Sequence, residues 1–350
     1  MKVCYFGIYN PNYTRSRVIQ RALEENDIEV IRCRVDPEEK RKYWKLYKKH
    51  KKIGEYDAMI VGYPGHTVLP LARLICKKPI IFDIFISRYD SIILDRKTHS
   101  PFSLKALQCW LLDWLACRLP NKIILDGEKH IEYFVKTFKA KREKFIKLPV
   151  SADDNVFFPR FVEKDVNKFL VHFHGSFVPL QGVEYIIKAA KLLEKENVKF
   201  NLIGKGQTYE KAKKLAEELQ VKNVEFTGKI PFEKVPEYLN KGDVSLGIFS
   251  TSPKAMRVVP CKLYEALACG KPIIIGESPV LRENFTNQEN VLFCKRASGE
   301  DLAEKILMLK RNKKLREKIG RNGYNLFQTK FTPLLLGRKI KKLLYKITSH

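Results

Sequence analysis

The chain has 350 residues, 45% of them hydrophobic and 30% charged, an ordinary globular composition with room for two cores. No apolar run approaches about 18 uncharged residues, which excludes a spanning helix at the level of sequence. The net charge of +27 is uneven: residues 1–150 carry 30 Lys and Arg against 17 Asp and Glu, residues 151–300 carry 22 against 19, and residues 301–350 carry 14 against 3. A basic face of that kind suits phosphates, on nucleic acid or on an anionic membrane.

The N-terminal MKVCYFGIYNPN has one basic residue and a very short apolar run. It reads as a first buried strand rather than a signal peptide, and a cytoplasmic location is expected. Strands follow at 2–8, 28–33, 57–62, 79–84, 122–126 and 146–150, then at 168–174, 198–203, 224–227, 243–249, 272–275 and 291–294. Helical patterns lie between them, most clearly at 183–196, where Val183, Ile186, Ile187, Ala190 and Leu193 keep helical spacing. This alternation predicts parallel sheets with helices on both faces. Twelve strands are too many for one such sheet, so the expected class is α/β with two Rossmann-like, doubly wound domains. A polar break near 151–167 divides them into 1–160 and 161–330. The tail, 331–350, is a basic amphipathic helix that caps the second domain, crosses back to the first or lies on a membrane. Residues 102–119, with two Trp and few charges, read as a buried helix or as one whose edge dips into lipid. The eight cysteines form no CxxC pair and read as reduced, buried hydrophobes.

The residues with chemistry gather just past strand ends, where open α/β sheets bind ligands. In the second half these are Gly175 in HGSFVPLQG, Gly204 in LIGKGQ, Lys229 in TGKIP and the stretch from Arg257 to Glu265. In the last of these, Pro260 starts a helix and Gly270 stops it. Arg257 and Lys262 bring two positive charges to the helix N-terminus, which already favours anions. A diphosphate held there, with Glu265 on a hydroxyl one turn later, describes a nucleotide-sugar site. In the first half, Tyr13 and Arg15 follow strand one, Asp83 ends strand four, Asp90, Asp95 and Arg96 lie beyond it, and Asp126 ends strand five. Asp83 stands among apolar residues, and a partly buried carboxylate there is a candidate for proton work or for holding a sugar hydroxyl. The histidines show no metal spacing, and no HExxH or acidic DxD is present; neither metal nor cofactor is expected.

GSFVPLQGVEYIIKAAKLL, LIGKGQ, FTGKIPFEKVPEYL and PCKLYEALACGKPII resemble the donor domain of glycosyltransferase family 4, and YFGIYNPNYTRSRVIQRAL, FDIFISRYDS and LDRK resemble a less-characterised branch of it. The resemblance implies the GT-B fold, two facing Rossmann-like domains with the C-terminal helix returning to the first. It also implies metal-independent, retaining transfer of a sugar from a nucleotide donor. Donor binding then falls to Gly175, Gly204, Lys229, Arg257, Lys262 and Glu265, with Asp83, Arg257 and Lys262 as the catalytic set. Acceptor binding falls to Tyr13, Arg15, Asp90, Asp95, Arg96 and Asp126. The sequence departs from the family in three respects. Arg257 stands eight residues before Glu265, where the family has a first Glu; Ser176 and Gln181 replace the Arg and Lys of the glycine loop; and Phe82-Asp83 replaces a His-Asp-like pair. Arg257 and Lys262 are therefore expected to supply the missing charge. The basic first half points to a lipid-linked or glycan acceptor and a peripheral position on an anionic membrane. The rivals are an inactive GT-B binding protein and a basic nucleic-acid-binding α/β protein. The last lacks a recognition module or basic–aromatic interleaving.

Overall fold

The structure, a computed structural model, describes residues 1–165 and 167–349. Val166, inside the expected break, and His350, at the end of the expected tail helix, lie outside the described residues. Two units pack separately: Met1–Ser151 with Phe331–His350, and Ala152–Lys330.

The first unit runs β1 (Lys2–Ile8), α1 (Thr14–Glu24), β2 (Glu29–Val35), α2 (Lys42–Lys51), β3 (Ala58–Val61), α3 (Leu69–Ile75), β4 (Ile80–Asp83), α4 (Leu104–Arg118), β5 (Lys122–Leu125), α5 (Glu128–Phe138) and β6 (Phe145–Lys147). A π-helical turn, Asp90–Asp95, stands between β4 and α4. The strands are short β-branched or apolar runs, and they form one parallel sheet of order β2-β1-β3-β4-β5-β6. The first connection runs one way from β1 and the rest run the other way. The switch point therefore falls between β1 and β3, paired Val3 with Ala58. Helices α2 to α5 share one core layer, in which Leu46, Leu69, Ala72, Ala116, Ile131 and Phe134 cover one sheet face.

The second unit runs β7 (Phe169–His174), α6 (Val183–Leu192), β8 (Val198–Ile203), α7 (Tyr209–Glu218), β9 (Val224–Gly228), α8 (Val235–Lys241), β10 (Val244–Leu246), α9 (Cys261–Ala268), β11 (Ile273–Gly276), α10 (Pro279–Arg282), β12 (Leu292–Cys294), α11 (Gly299–Arg311) and α12 (Lys313–Lys330). Its sheet is again parallel, of order β12-β11-β10-β7-β8-β9, with the switch point between β7 and β10. The last helix, α13 (Pro333–Thr348), belongs to the first unit. Its Leu336, Ile340 and Leu344 pack with Val18, Ile19 and Leu23 of α1 on the second face of that unit's sheet. Gly337 permits the approach, since a Cβ there would run into the Ala22 carbonyl oxygen. The apolar stripe of the tail is thus spent on α1 rather than on lipid.

All twelve expected strands form, with altered ends. The sixth is Phe145–Lys147 rather than 146–150, because Pro149 has no N–H for the ladder. The tenth ends at Leu246, although Gly247 N still donates to the Ile274 carbonyl at 2.8 Å and Gly276 N to the Ile248 carbonyl at 3.1 Å, and Phe249 N then donates to the Gln181 carbonyl at 3.0 Å, tying this strand end to the glycine loop after β7. All eight cysteines are free, and all but Cys261 are buried. The sequence reading expects no basic–aromatic element, yet α2 carries one. Trp44 and Tyr47 stack at 5.5 Å, with Lys48 over the first ring and Lys51 over the second.

Candidate functional site

In the second unit the carboxyl ends of β7 and β10 flank the switch point, and the expected donor residues converge there. Gly175, the first residue past β7, has φ +150, and its N–H donates to the Ile203 carbonyl at 2.9 Å. A Cβ on Gly175 would lie 2.9 Å from Lys262 Nζ. Gly204, past β8, has φ +131, and a Cβ there would strike the Gly175 carbonyl oxygen. Only glycine fits at either turn, and the two backbones close up beneath the ammonium group.

Lys262 comes from the first turn of α9, whose N-cap is Pro260. The side chain is buried, donates from Nζ to Gln181 Oε1 at 2.7 Å and lies 3.6 Å from the centre of the Phe173 ring. Burial pushes its pKa well below the usual lysine value, and Glu265 and Cys261 only partly counter this. The amine is thus held where a neighbouring anion would favour its charged form. Lys262 reaches from α9 to the glycine loop that carries Gln181.

Glu265 sits one turn further along α9 and is buried. Its Oε2 accepts from His174 Nε2 at 2.7 Å, and His174 Nδ1 faces His172 Nε2 at 2.9 Å. Because a carboxylate only accepts, His174 carries its proton on Nε2. Burial first, then His174, Lys262 and Lys271, pushes His172 well below the ordinary histidine value, so that ring is neutral. The two rings form a one-way chain ending on Glu265. Sequence reasoning passed over both histidines. Their signal was the i, i+2 spacing in VHFHG, which puts both on one side of β7 at its ligand-binding end.

Arg257 lies half-buried on the loop between β10 and α9, where its N–H donates to the Lys254 carbonyl at 3.0 Å. That loop is pinned by Arg296, which donates to the carbonyls of Glu277 (2.6 Å), Ser250 (2.8 Å) and Ala255 (3.1 Å). Burial pushes Arg296 down to about 10. Lys229 is exposed one residue past β9. Gly175, Gly204, Lys262 and Glu265 are thus in one cluster, with Arg257 on the adjoining loop and Lys229 at the neighbouring strand end.

Residues 154–326 match the family described as glycosyl transferases group 1. The second unit belongs to that family. Over 160 residues the chain is 31% identical to an uncharacterized glycosyltransferase of Methanocaldococcus jannaschii, covering 46% of this chain and 43% of that protein. It is 24% identical over 221 residues to the N,N'-diacetylbacillosaminyl-diphospho-undecaprenol alpha-1,3-N-acetylgalactosaminyltransferase of Campylobacter jejuni, covering 60% and 56%. The chain spans about half the length of the curated relatives it matches. In fold it is similar over 99% of its length to all of Anabaena HepE, solved with UDP-glucose, at a TM-score of 0.75 and 15% identity. The two parallel sheets and this likeness give the two-domain α/β GT-B fold of glycosyltransferases.

The group 1 unit keeps its expected donor residues together, whereas the first unit corrects two expectations. Asp83 and Arg15 have no exposed surface. Arg15 Nε donates to both Asp83 oxygens at 3.1 and 2.9 Å, Nη2 donates to Oδ1 at 2.8 Å, and Nη1 donates to the Pro149 carbonyl at 2.8 Å. Burial opposes the Arg15 charge, but Asp83 and then Asp126 hold its pKa above the ordinary value. Asp83 is therefore not poised for proton work, nor Arg15 for an acceptor: each is the other's buried counter-ion. Asp126 is also buried, with Oδ1 2.7 Å from His130 Nδ1. Asp90 and Asp95 are buried in the π-helical turn, and Arg96 is exposed just after it. The start of that turn hangs on Asp113 of α4, which accepts from Ser87 Oγ (2.6 Å), Arg88 N (3.0 Å) and Tyr89 N (2.8 Å). Tyr13 is the exposed one of the expected set near the switch point. It joins Tyr63 at 5.2 Å, and Phe85 closes the cluster at 5.2 Å from Tyr63. Tyr63 and Phe85, past β3 and β4, went unread in the sequence; Phe85 has φ +56, an uncommon conformation for a bulky residue. Among the described residues no group of three His, Cys, Asp or Glu is placed to hold a metal ion.

Proposed function

We propose that the protein is a glycosyltransferase that moves a sugar from a nucleotide-sugar donor to a lipid-linked or polysaccharide acceptor, with retention and without a metal. The supporting observation is the Gly175–Lys262–Glu265 cluster, which pairs an ammonium held against a glycine turn with a carboxylate one helical turn below. The diphosphate lies on the Gly175 and Gly204 backbone and on Lys262, and Glu265 accepts from the ribose hydroxyls. As the sugar–phosphate bond breaks, negative charge grows on the leaving diphosphate. Lys262 and Arg257 stabilise it, each contact contributing roughly 3 kcal/mol of barrier lowering. The aromatic cluster of Tyr13, Tyr63 and Phe85 offers a face for an acceptor sugar in the first unit, with the exposed Arg96 as a further acceptor contact. HepE is solved with UDP-glucose, which favours a uridine donor, and the Campylobacter relative is named for a diphospho-undecaprenol acceptor, which favours a lipid-linked one.

The test is a thermal-shift screen of UDP-, GDP-, ADP- and TDP-sugars, followed by turnover of the stabilising donor. One nucleotide sugar should raise the melting temperature, and Lys262→Ala and Arg257→Ala should abolish turnover. Wild-type donor affinity and rate in Arg257→Ala would remove that residue from the mechanism. Donor binding with no transfer or hydrolysis would favour an inactive binding protein.

A further inference from the structure

The outer side of the helical layer formed by α2, α3 and α4 is built unlike the rest of the surface. Fourteen large apolar side chains are exposed among the described residues, and eight of them fall between Tyr43 and Leu111. Phe102 and Leu104 are 99% and 86% exposed and Leu74 is 84% exposed. Leu104, Leu107 and Leu111 follow at i, i+3 and i+7 and make one exposed stripe along α4, opposite its buried Ala106, Cys109, Asp113, Ala116 and Cys117. On α2 the exposed Tyr43 and Trp44 stand among Lys42, Lys45, Lys48 and Lys49. The inner sides of these helices share one core layer, so their outer sides look away from the same sheet face.

The charge of this surface is predominantly positive. Residues 41–119 hold fifteen Lys and Arg against six Asp and Glu. Four of the six acids, Asp83, Asp90, Asp95 and Asp113, are buried. The surface therefore presents aliphatic stripes, interfacial aromatics and an excess of lysines, against the exposed Glu55 and Asp57 and against Glu39, which pairs with Lys45. Aromatic rings at the water boundary, leucines below and ammonium groups toward headgroups are the arrangement of a bilayer-facing element. A nucleic-acid surface would use the lysines and the Trp44–Tyr47 stack, but has no use for Leu74, Leu104, Leu107 and Leu111.

We propose that the outer side of α2, α3 and α4 docks the protein onto an anionic lipid bilayer, with Phe102, Leu104, Leu107 and Leu111 inserted and the α2 lysines against the headgroups. The commitment to a bilayer rests on this charge complementarity joined to an aliphatic stripe. It deepens the proposed lipid-linked acceptor, but lipid binding is read without turnover, so failure of either idea leaves the other standing. No helix among the described residues is long and apolar enough to cross a membrane.

The full chain is floated with phosphatidylcholine vesicles, with and without phosphatidylglycerol, at low and high salt. The wild type should float with the anionic vesicles only. Leu107→Asp/Leu111→Asp should cut the bound fraction at least about tenfold at either salt. Lys45→Gln/Lys48→Gln should cut it roughly fivefold per charge at low salt and little at high salt. Because all three tryptophans lie on α2 and α4, brominated lipids should quench wild-type fluorescence, a reading that needs no variant to fold. A wild type that stays unfloated at low salt, or unquenched fluorescence, overturns the proposal. So does flotation of both double variants at the wild-type level. Binding of a single-stranded oligonucleotide that displaces vesicles and is indifferent to Leu107→Asp/Leu111→Asp assigns the surface to nucleic acid instead and equally overturns it.

Discussion

Removing the His174 ring tests whether the two-histidine chain aims Glu265 at the donor. The His174 Nε2–H bond to Glu265 Oε2 is 2.7 Å long and buried. A hydrogen bond to a charged group contributes about 1.5–3 kcal/mol, roughly a 10- to 150-fold change in an equilibrium constant. In His174→Ala one Glu265 oxygen loses this donor, and the carboxylate is held less firmly toward the ribose. Lys262 and the Gly175 backbone are untouched. KM for the donor should therefore rise about 10- to 100-fold while kcat falls much less. His174→Gln keeps an amide N–H of similar reach and should recover affinity to within about threefold. Calorimetric titration of the nucleoside diphosphate, alongside steady-state kinetics and a melting curve, reads all three quantities. If His174→Ala melts as the wild type does and binds nucleotide within about twofold of it, Glu265 is aimed without the histidines and the reasoning fails. An equal loss in Ala and Gln variants would mean that the ring acts by packing.

Three more outcomes follow from the same geometry. Burial pushes Lys262 far down, so in the free protein it loses its proton as pH rises through that lowered value, while a bound diphosphate holds the proton on. Donor affinity should fall with rising pH, by up to about tenfold per unit above that value, and Lys262→Arg should flatten the profile; affinity that rises with pH would contradict this. Arg15→Met leaves Asp83 buried without its counter-ion and should cost about 3–5 kcal/mol in urea unfolding, and adding Asp83→Leu should recover much of the loss. If the single variant is as stable as the wild type, the pair is not the structural clamp described here. Gly204→Ala puts a methyl against the Gly175 carbonyl at φ +131. It should destabilise by more than about 1 kcal/mol and weaken donor binding, and unchanged calorimetric affinity would show that the turn can yield.

What the sequence made legible depends on how locally each feature is written. Ile80–Asp83 and Ile273–Gly276 announce themselves as strands because their adjacent residues are buried on both faces of a parallel sheet. The site in the second unit was readable for a related reason: Gly175, Gly204 and Lys262 each follow a strand or open a helix, and in a doubly wound sheet those positions share one edge. Asp83 was misread because its meaning lies 68 residues away. A carboxylate in an apolar run looks the same whether it faces a substrate or a buried guanidinium, and Arg15 read alone looks equally available. His172 and His174 failed in the opposite direction. In an apolar strand without metal spacing two histidines point to no partner, and only the arrival of Glu265 from α9, 91 residues on from His174, turns them into a chain with an end. The α2 and α4 surface was half legible, since the apolar 102–119 segment was noticed but its exposed side could not be. Which residues of an all-round apolar helix face outward is decided by the sheet they pack on, through Cys109, Ala116 and Cys117. Features set by one element's own period were open to the sequence; features set by a partner element, whether a counter-ion, a proton donor or a covering sheet, needed the fold.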